Sequence, residues 1–142
     1  MQEKVLEALK IPTIELRGEY SFREIDQIYA QVGLAFVAFH EAFGIPIVQM
    51  QNHGASIASP HPGWVKRHIL RENGHVYDET RDREAFSNNF IFYASEEELT
   101  EKIARLRASF NPWESRQTLV DKQAGFVNGS LADLHRALKN YA

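Results

Sequence analysis

The feature that most constrains this chain is a six-residue apolar run, Leu34-Ala-Phe-Val-Ala-Phe39, followed at once by His40, Glu41, Gly44 and Pro46. A short run without polar alternation suits a strand covered on both faces, as strands are in a parallel sheet. Proline and glycine then open a helix expected over Pro46 to His53, and Gly54 takes the position past a helix end that glycine favours. A strand that runs straight into a helix start brings together a carboxylate, backbone N–H groups and the positive end of a helix dipole. Sheets of the α/β class hold phosphorylated ligands in such places.

The same alternation runs along the rest of the chain. Glu3 to Lys10 reads as a short helix stopped by Pro12, and Thr13-Ile-Glu-Leu16 alternates like a strand. Ser21-Phe-Arg-Glu24 is a capping-box pattern that starts a helix. Phe22, Ile25, Ile28 or Tyr29, and Val32 form its apolar stripe, which reads as core packing. Ala55 to Ala58 is a brief strand candidate, Ser59 to Gly63 a rigid loop, and Trp64 to Glu72 a helix closed by Asn73-Gly74. His75 to Tyr77 is a short strand candidate, Thr80 to Phe86 a connection, and Phe90 to Tyr93 a clear strand. Ser95 to Glu98 repeats the capping pattern ahead of Leu99, Ile103, Leu106 and Phe110. Pro112 to about Phe126 and Ser130 to Tyr141 complete the chain as helices. Strands alternating with helices imply right-handed crossovers and a parallel sheet, so one α/β unit ending in helices is expected.

Composition narrows the function classes. With 142 residues, 44% hydrophobic and 25% charged, the chain suits one domain able to bury a core without staples. A net charge of −3 gives no general attraction to nucleic acid or anionic lipid. Cysteine is absent, which excludes a disulfide framework, a thiol nucleophile and a cysteine zinc site. No apolar run approaches the roughly 20 residues of a spanning helix, and the early mixed charges do not suit a secretory signal. A cytoplasmic protein without nucleic-acid partner or transmembrane segment is the expectation.

Ligands collect outside the carboxyl ends of strands in open parallel sheets. Four segments are expected there: Arg17-Gly18, His40-Glu41, Ser56 to His61, and Ala94-Ser95. Glu41 either accepts hydrogen bonds from a vicinal diol or acts as a solvated carboxylate near a helix start. Gly44, after Phe43, either lets backbone approach a ligand or makes a tight turn before Pro46. Gln49 lies two helical turns beyond Glu41 and can bind a hydroxyl without charge assistance. His40, His53, His61, His68 and His75 crowd one stretch, but no second histidine follows His40-Glu41 at metalloprotease spacing. No serine-hydrolase elbow occurs. Trp64 and Trp113 either mark a partner surface or anchor their own helices in the core.

In one register, Glu41-x-Phe43-Gly44-x-Pro46-x-x-Gln49 with Gly54 beyond resembles the signature of GT-B glycosyltransferases. The closer resemblance is to the retaining, nucleotide-sugar-dependent group with two glutamates eight residues apart. Leu16-Arg-Gly18, Tyr20-Ser21, Ile28 to Ala30 and Leu34 to Phe39 resemble the elements that precede that signature, and Ser95 to Leu106 a helix near the end of the domain. The likeness spans about residues 13–108.

It implies a Rossmann-like parallel sheet flanked by helices, equivalent to the C-terminal, donor-binding half of the GT-B fold. By resemblance Glu41 contacts the donor sugar, Phe43 and Gly44 seat it, and the amides of Ile47 and Val48 face the diphosphate. Gln49 holds the ribose where the family carries a second glutamate. The family's Arg and Lys for the leaving diphosphate fall on segments this chain does not show. Arg17, Lys66, Arg67 and Arg71 are the basic residues left, each more simply a solvated surface charge. The resemblance implies retention of anomeric configuration, no metal, no cofactor beyond the nucleoside-diphosphate sugar, and a separate N-terminal acceptor domain or subunit. A non-catalytic nucleotide-binding or protein-interaction module of the same fold is the alternative.

Overall fold

Residue parity divides the central sheet into two faces, and each face is covered by its own helices. The computed structural model describes residues 1–37, 44–60 and 89–129. Strands β1 (Leu34–Phe36), β2 (Ser56–Ser59) and β3 (Phe90–Phe92) form a sheet in the order β1-β2-β3. Both pairings are parallel, with Ala35 opposite Ile57 and Ile57 opposite Phe90.

One face carries Ala35, Val37, Ile57, Phe90 and Phe92, packed on Ile47 and Met50 of the helix Ile45–Asn52. The opposite face carries Leu34, Phe36, Ala58, Ile91 and Tyr93, packed on Val5, Leu6, Leu99 and Ile103. The helices among the described residues are α1 (Gln2–Ala8), α2 (Phe22–Tyr29), α3 (Ile45–Asn52), α4 (Glu96–Ser109) and α5 (Pro112–Asn128). On one side α3 lies against β2 and α5, with α2 beside it; on the other side α1 packs on α4. Every residue of β2 is buried, as a central strand clad on both faces requires.

Local sequence accounts for the helix boundaries. The Ser21 hydroxyl accepts the Glu24 N–H at 3.3 Å, and the Glu24 carboxylate accepts the Ser21 N–H at 2.8 Å, which closes the capping box. Asn111 caps α5 by accepting the Trp113 N–H at 3.1 Å. His53 ends α3, and Gly54 follows with φ of +93°, a left-handed conformation that glycine adopts without strain. Gly54 also lies directly beneath the first turn of α5: a methyl group there would stand 2.5 Å from the Pro112 carbonyl oxygen.

Buried amides tie the same corner together. The Gln51 side chain on α3 donates to Asn89 Oδ1 at 2.9 Å, and Asn89 Nδ2 donates to the carbonyls of Ala55 and Ser115 at 3.4 and 3.2 Å. Nearby, His53 Nε2 and Asp26 Oδ1 lie 2.8 Å apart and link α3 to α2. Arg116 Nε donates to Asn52 Oδ1 at 3.1 Å and links α3 to α5.

Two expectations need correction. Thr13 to Leu16 forms no strand; Ile14 and Leu16 are 56% and 46% exposed. Alternation makes a strand only where one face has something to bury against, and here the following residues turn instead. The Tyr20 hydroxyl donates to the Arg17 carbonyl at 2.9 Å around Gly18, whose φ is +95°. Phe22 is not core either: it is 71% exposed, and Tyr29 at the other end of α2 is the buried anchor. Burial pushes the Tyr29 phenol up. The expected helices Trp64 to Glu72 and Ser130 to Tyr141, the strand at His75 to Tyr77 and the connection Thr80 to Phe86 lie outside the described residues. Among the described residues no helix is long and apolar enough to cross a membrane.

Gly54→Ala combines a left-handed alanine with a collision against backbone, and is expected to cost more than about 2 kcal/mol in urea-unfolding stability. A loss below about 0.5 kcal/mol would show that α5 can retreat at no cost. The capping box gives a second test. The Ser21 hydroxyl, and then its amide, hold the Glu24 carboxyl below its ordinary range. Because the folded pKa is the lower one, this stabilisation is complete above the unfolded glutamate value near about 4.3 and is lost as pH falls through the folded value. Unfolding midpoints measured from about pH 6 to about pH 3 should therefore fall less steeply for Glu24→Gln than for the native chain.

Candidate functional site

The carboxyl edge of the sheet is built from the ends of β1, β2 and β3 and the starts of α3 and α4. Ile47 of α3 packs with Val37 and Phe92 at that edge, while Gln51 reaches Asn89 at the opposite end of β3. So α3 runs back along the sheet with its N-terminus at the carboxyl edge, where its dipole is positive.

The two helix starts differ sharply in chemistry. At α4, Ser95 Oγ accepts the Glu98 N–H at 3.2 Å, and Glu98 Oε2 accepts the Ala94 N–H at 2.8 Å. Glu98 Oε1 also meets Lys102 Nζ at 2.5 Å, and that ammonium donates to the Phe92 carbonyl at 2.6 Å. The Glu97 carboxyl is held below its ordinary range by its own amide and then by the Ser95 hydroxyl. With Glu96, Glu97 and Glu98 in one turn, α4 supplies its own anions and repels another.

At α3 the N-cap is Gly44, with φ of +74°, a residue with no side chain of its own to cap the helix. The first turn has no acidic residue, and the whole helix, IPIVQMQN, has no charged one. Each of the other four described helices carries a carboxylate in its first turn. Among the described residues, α3 is thus the helix start most receptive to an exogenous anion.

The expected site residues distribute unevenly around this point. Gly44 is buried at the N-cap, Ile47 is 2% exposed, and Val48 and Gln49 are half-buried on α3. Val48 N–H donates to the Gly44 carbonyl at 2.9 Å, so that amide belongs to the helix itself. Pro46 has no N–H, so Ile45 and Ile47 carry the remaining amides of this turn. Glu41 and Phe43, with His40, lie outside the described residues. Of the four segments expected at strand ends, Ser59-Pro60 and Ala94-Ser95 are there, but Arg17-Gly18 follows no strand. Arg17 is exposed, and its guanidinium pairs with Glu15 at 2.6 Å.

Of the five histidines in that stretch, His40, His61, His68 and His75 lie outside the described residues, and His53 meets Asp26 across the α2–α3 contact. Among the described residues no three His, Cys, Asp or Glu side chains converge. The Asn89 amide and the Asp26–His53 pair had no sequence signal, because each joins residues 26 or more positions apart without periodicity. The sheet adds a constraint of its own. Its strands run in sequential order, so no reversal of strand order falls between any two of them.

Comparison with known proteins finds no family model, no curated protein and no solved structure that matches this chain. The local chemistry of the carboxyl edge must therefore carry any functional reading.

Gly44→Ala places an L side chain in the left-handed region at the helix start. A loss of about 1–2 kcal/mol in thermal or urea unfolding is expected. An unchanged midpoint would mean that the α3 start relaxes freely, and would weaken its claim as a preformed site.

Proposed function

We propose that the chain is a Rossmann-like, donor-binding half of a GT-B glycosyltransferase. The observation that supports this reading is the start of α3: its N-cap is a glycine with no side chain of its own, its first turn has no acidic residue, and it stands at the carboxyl edge of a parallel sheet. Its dipole and the amides of Ile45 and Ile47 suit the diphosphate of a nucleotide sugar. The motif that resembles the family begins just before this helix and runs into it. In this reading Glu41 accepts the donor sugar's hydroxyls, Phe43 and Gly44 form the floor beneath the sugar, and Gln49 reaches the ribose. Val48 contributes packing rather than its amide.

The reaction is transfer of a glycosyl group to a hydroxyl acceptor. The bond from the anomeric carbon to the diphosphate oxygen breaks, the bond to the acceptor oxygen forms, and the hydroxyl proton passes to the departing diphosphate. Electrostatic stabilisation of the departing diphosphate supplies much of the rate in such chemistry. Arg17, paired with Glu15 in an exposed turn, is poorly placed to provide it. The proposal therefore assigns donor binding to this chain, and assigns acceptor binding and charge neutralisation to a partner domain or subunit.

A non-catalytic interaction module is the second reading. It is favoured by the exposure of Phe22 (71%) and Trp113 (78%), large apolar side chains that the described core does not absorb.

Calorimetry with a panel of nucleoside diphosphates and their sugar conjugates separates the two. Donor binding predicts saturable heat with at least one member. It also predicts that Glu41→Ala weakens the sugar conjugate about tenfold or more, as loss of charge-assisted hydrogen bonds should, while the melting temperature holds. The bare nucleoside diphosphate should be weakened far less. Silence across the whole panel would overturn the donor-site proposal and leave the interaction module. In a separate assay the purified chain should show no sugar transfer until an acceptor-binding partner is added; turnover by the chain alone would contradict the division of labour.

A further inference from the structure

We draw no further inference here: the strongest candidate, the apolar surface patch of Ile14, Leu16, Tyr20 and Phe22 left exposed from the α1–α2 connection to the start of α2, carries nothing because nothing in the structure shows what covers it.

Discussion

The Asn89 amide is the interaction on which the α3 side of this molecule depends. Its oxygen receives the Gln51 side chain of α3, and its nitrogen reaches carbonyls ahead of β2 and within α5. Three stretches distant in sequence, 51–55, 89 and 115, thus meet at one planar group that is only 4% exposed. Such a buried polar network is favourable when its members are matched and expensive when one is removed. Its position is as important as its strength. By fastening the C-terminal end of α3 near the start of β3, it fixes the direction in which the helix leaves the sheet and so where its N-terminus lies.

From that anchor the candidate site follows. Gln51, Asn52 and His53 each make a side-chain bond to a different element, and Ile47 and Met50 lie on the sheet. The C-terminal half of α3 is therefore held by directional polar contacts, and its N-terminal half by apolar packing. Gly44 and the first-turn amides inherit their position from both. The contrast with α4 shows that a helix start alone decides little. Ser95, Glu97 and Glu98 already occupy that turn with their own oxygens, whereas the first turn of α3 carries no carboxylate.

Sequence reasoning reached the elements with strong local causes. The Leu34–Phe36 strand, the Ser21 capping box, the helix between Gly44 and Gly54 and the parallel strands at Ser56 and Phe90 all rest on apolar runs or on cap and turn chemistry. It failed at Thr13 to Leu16, where alternation over four residues had no face to bury, and at Phe22, where a helical stripe extended past the contact it serves. At the site, Gly44 and the start of α3 were legible because proline and glycine punctuate that stretch. The role of the Val48 amide was not, since it depends on which donors the helix uses for itself. Asn89 was invisible, because a lone asparagine before a strand looks like any turn residue until its distant partners are known.

The close approach of Gly54 to Pro112 has a consequence for how this sequence can drift. With the Pro112 carbonyl oxygen 2.5 Å from where a methyl group would stand, position 54 stays closed to any side chain while the backbone at 112 keeps its path. Any lineage that replaced the glycine would first have to lengthen or re-aim the connection between α4 and α5. That shift would carry along the Ser115 carbonyl held by Asn89 and the Arg116 contact to α3. Diverged descendants of this chain should therefore change the stretch from 110 to 116 and the residue at 54 together, as one inherited block.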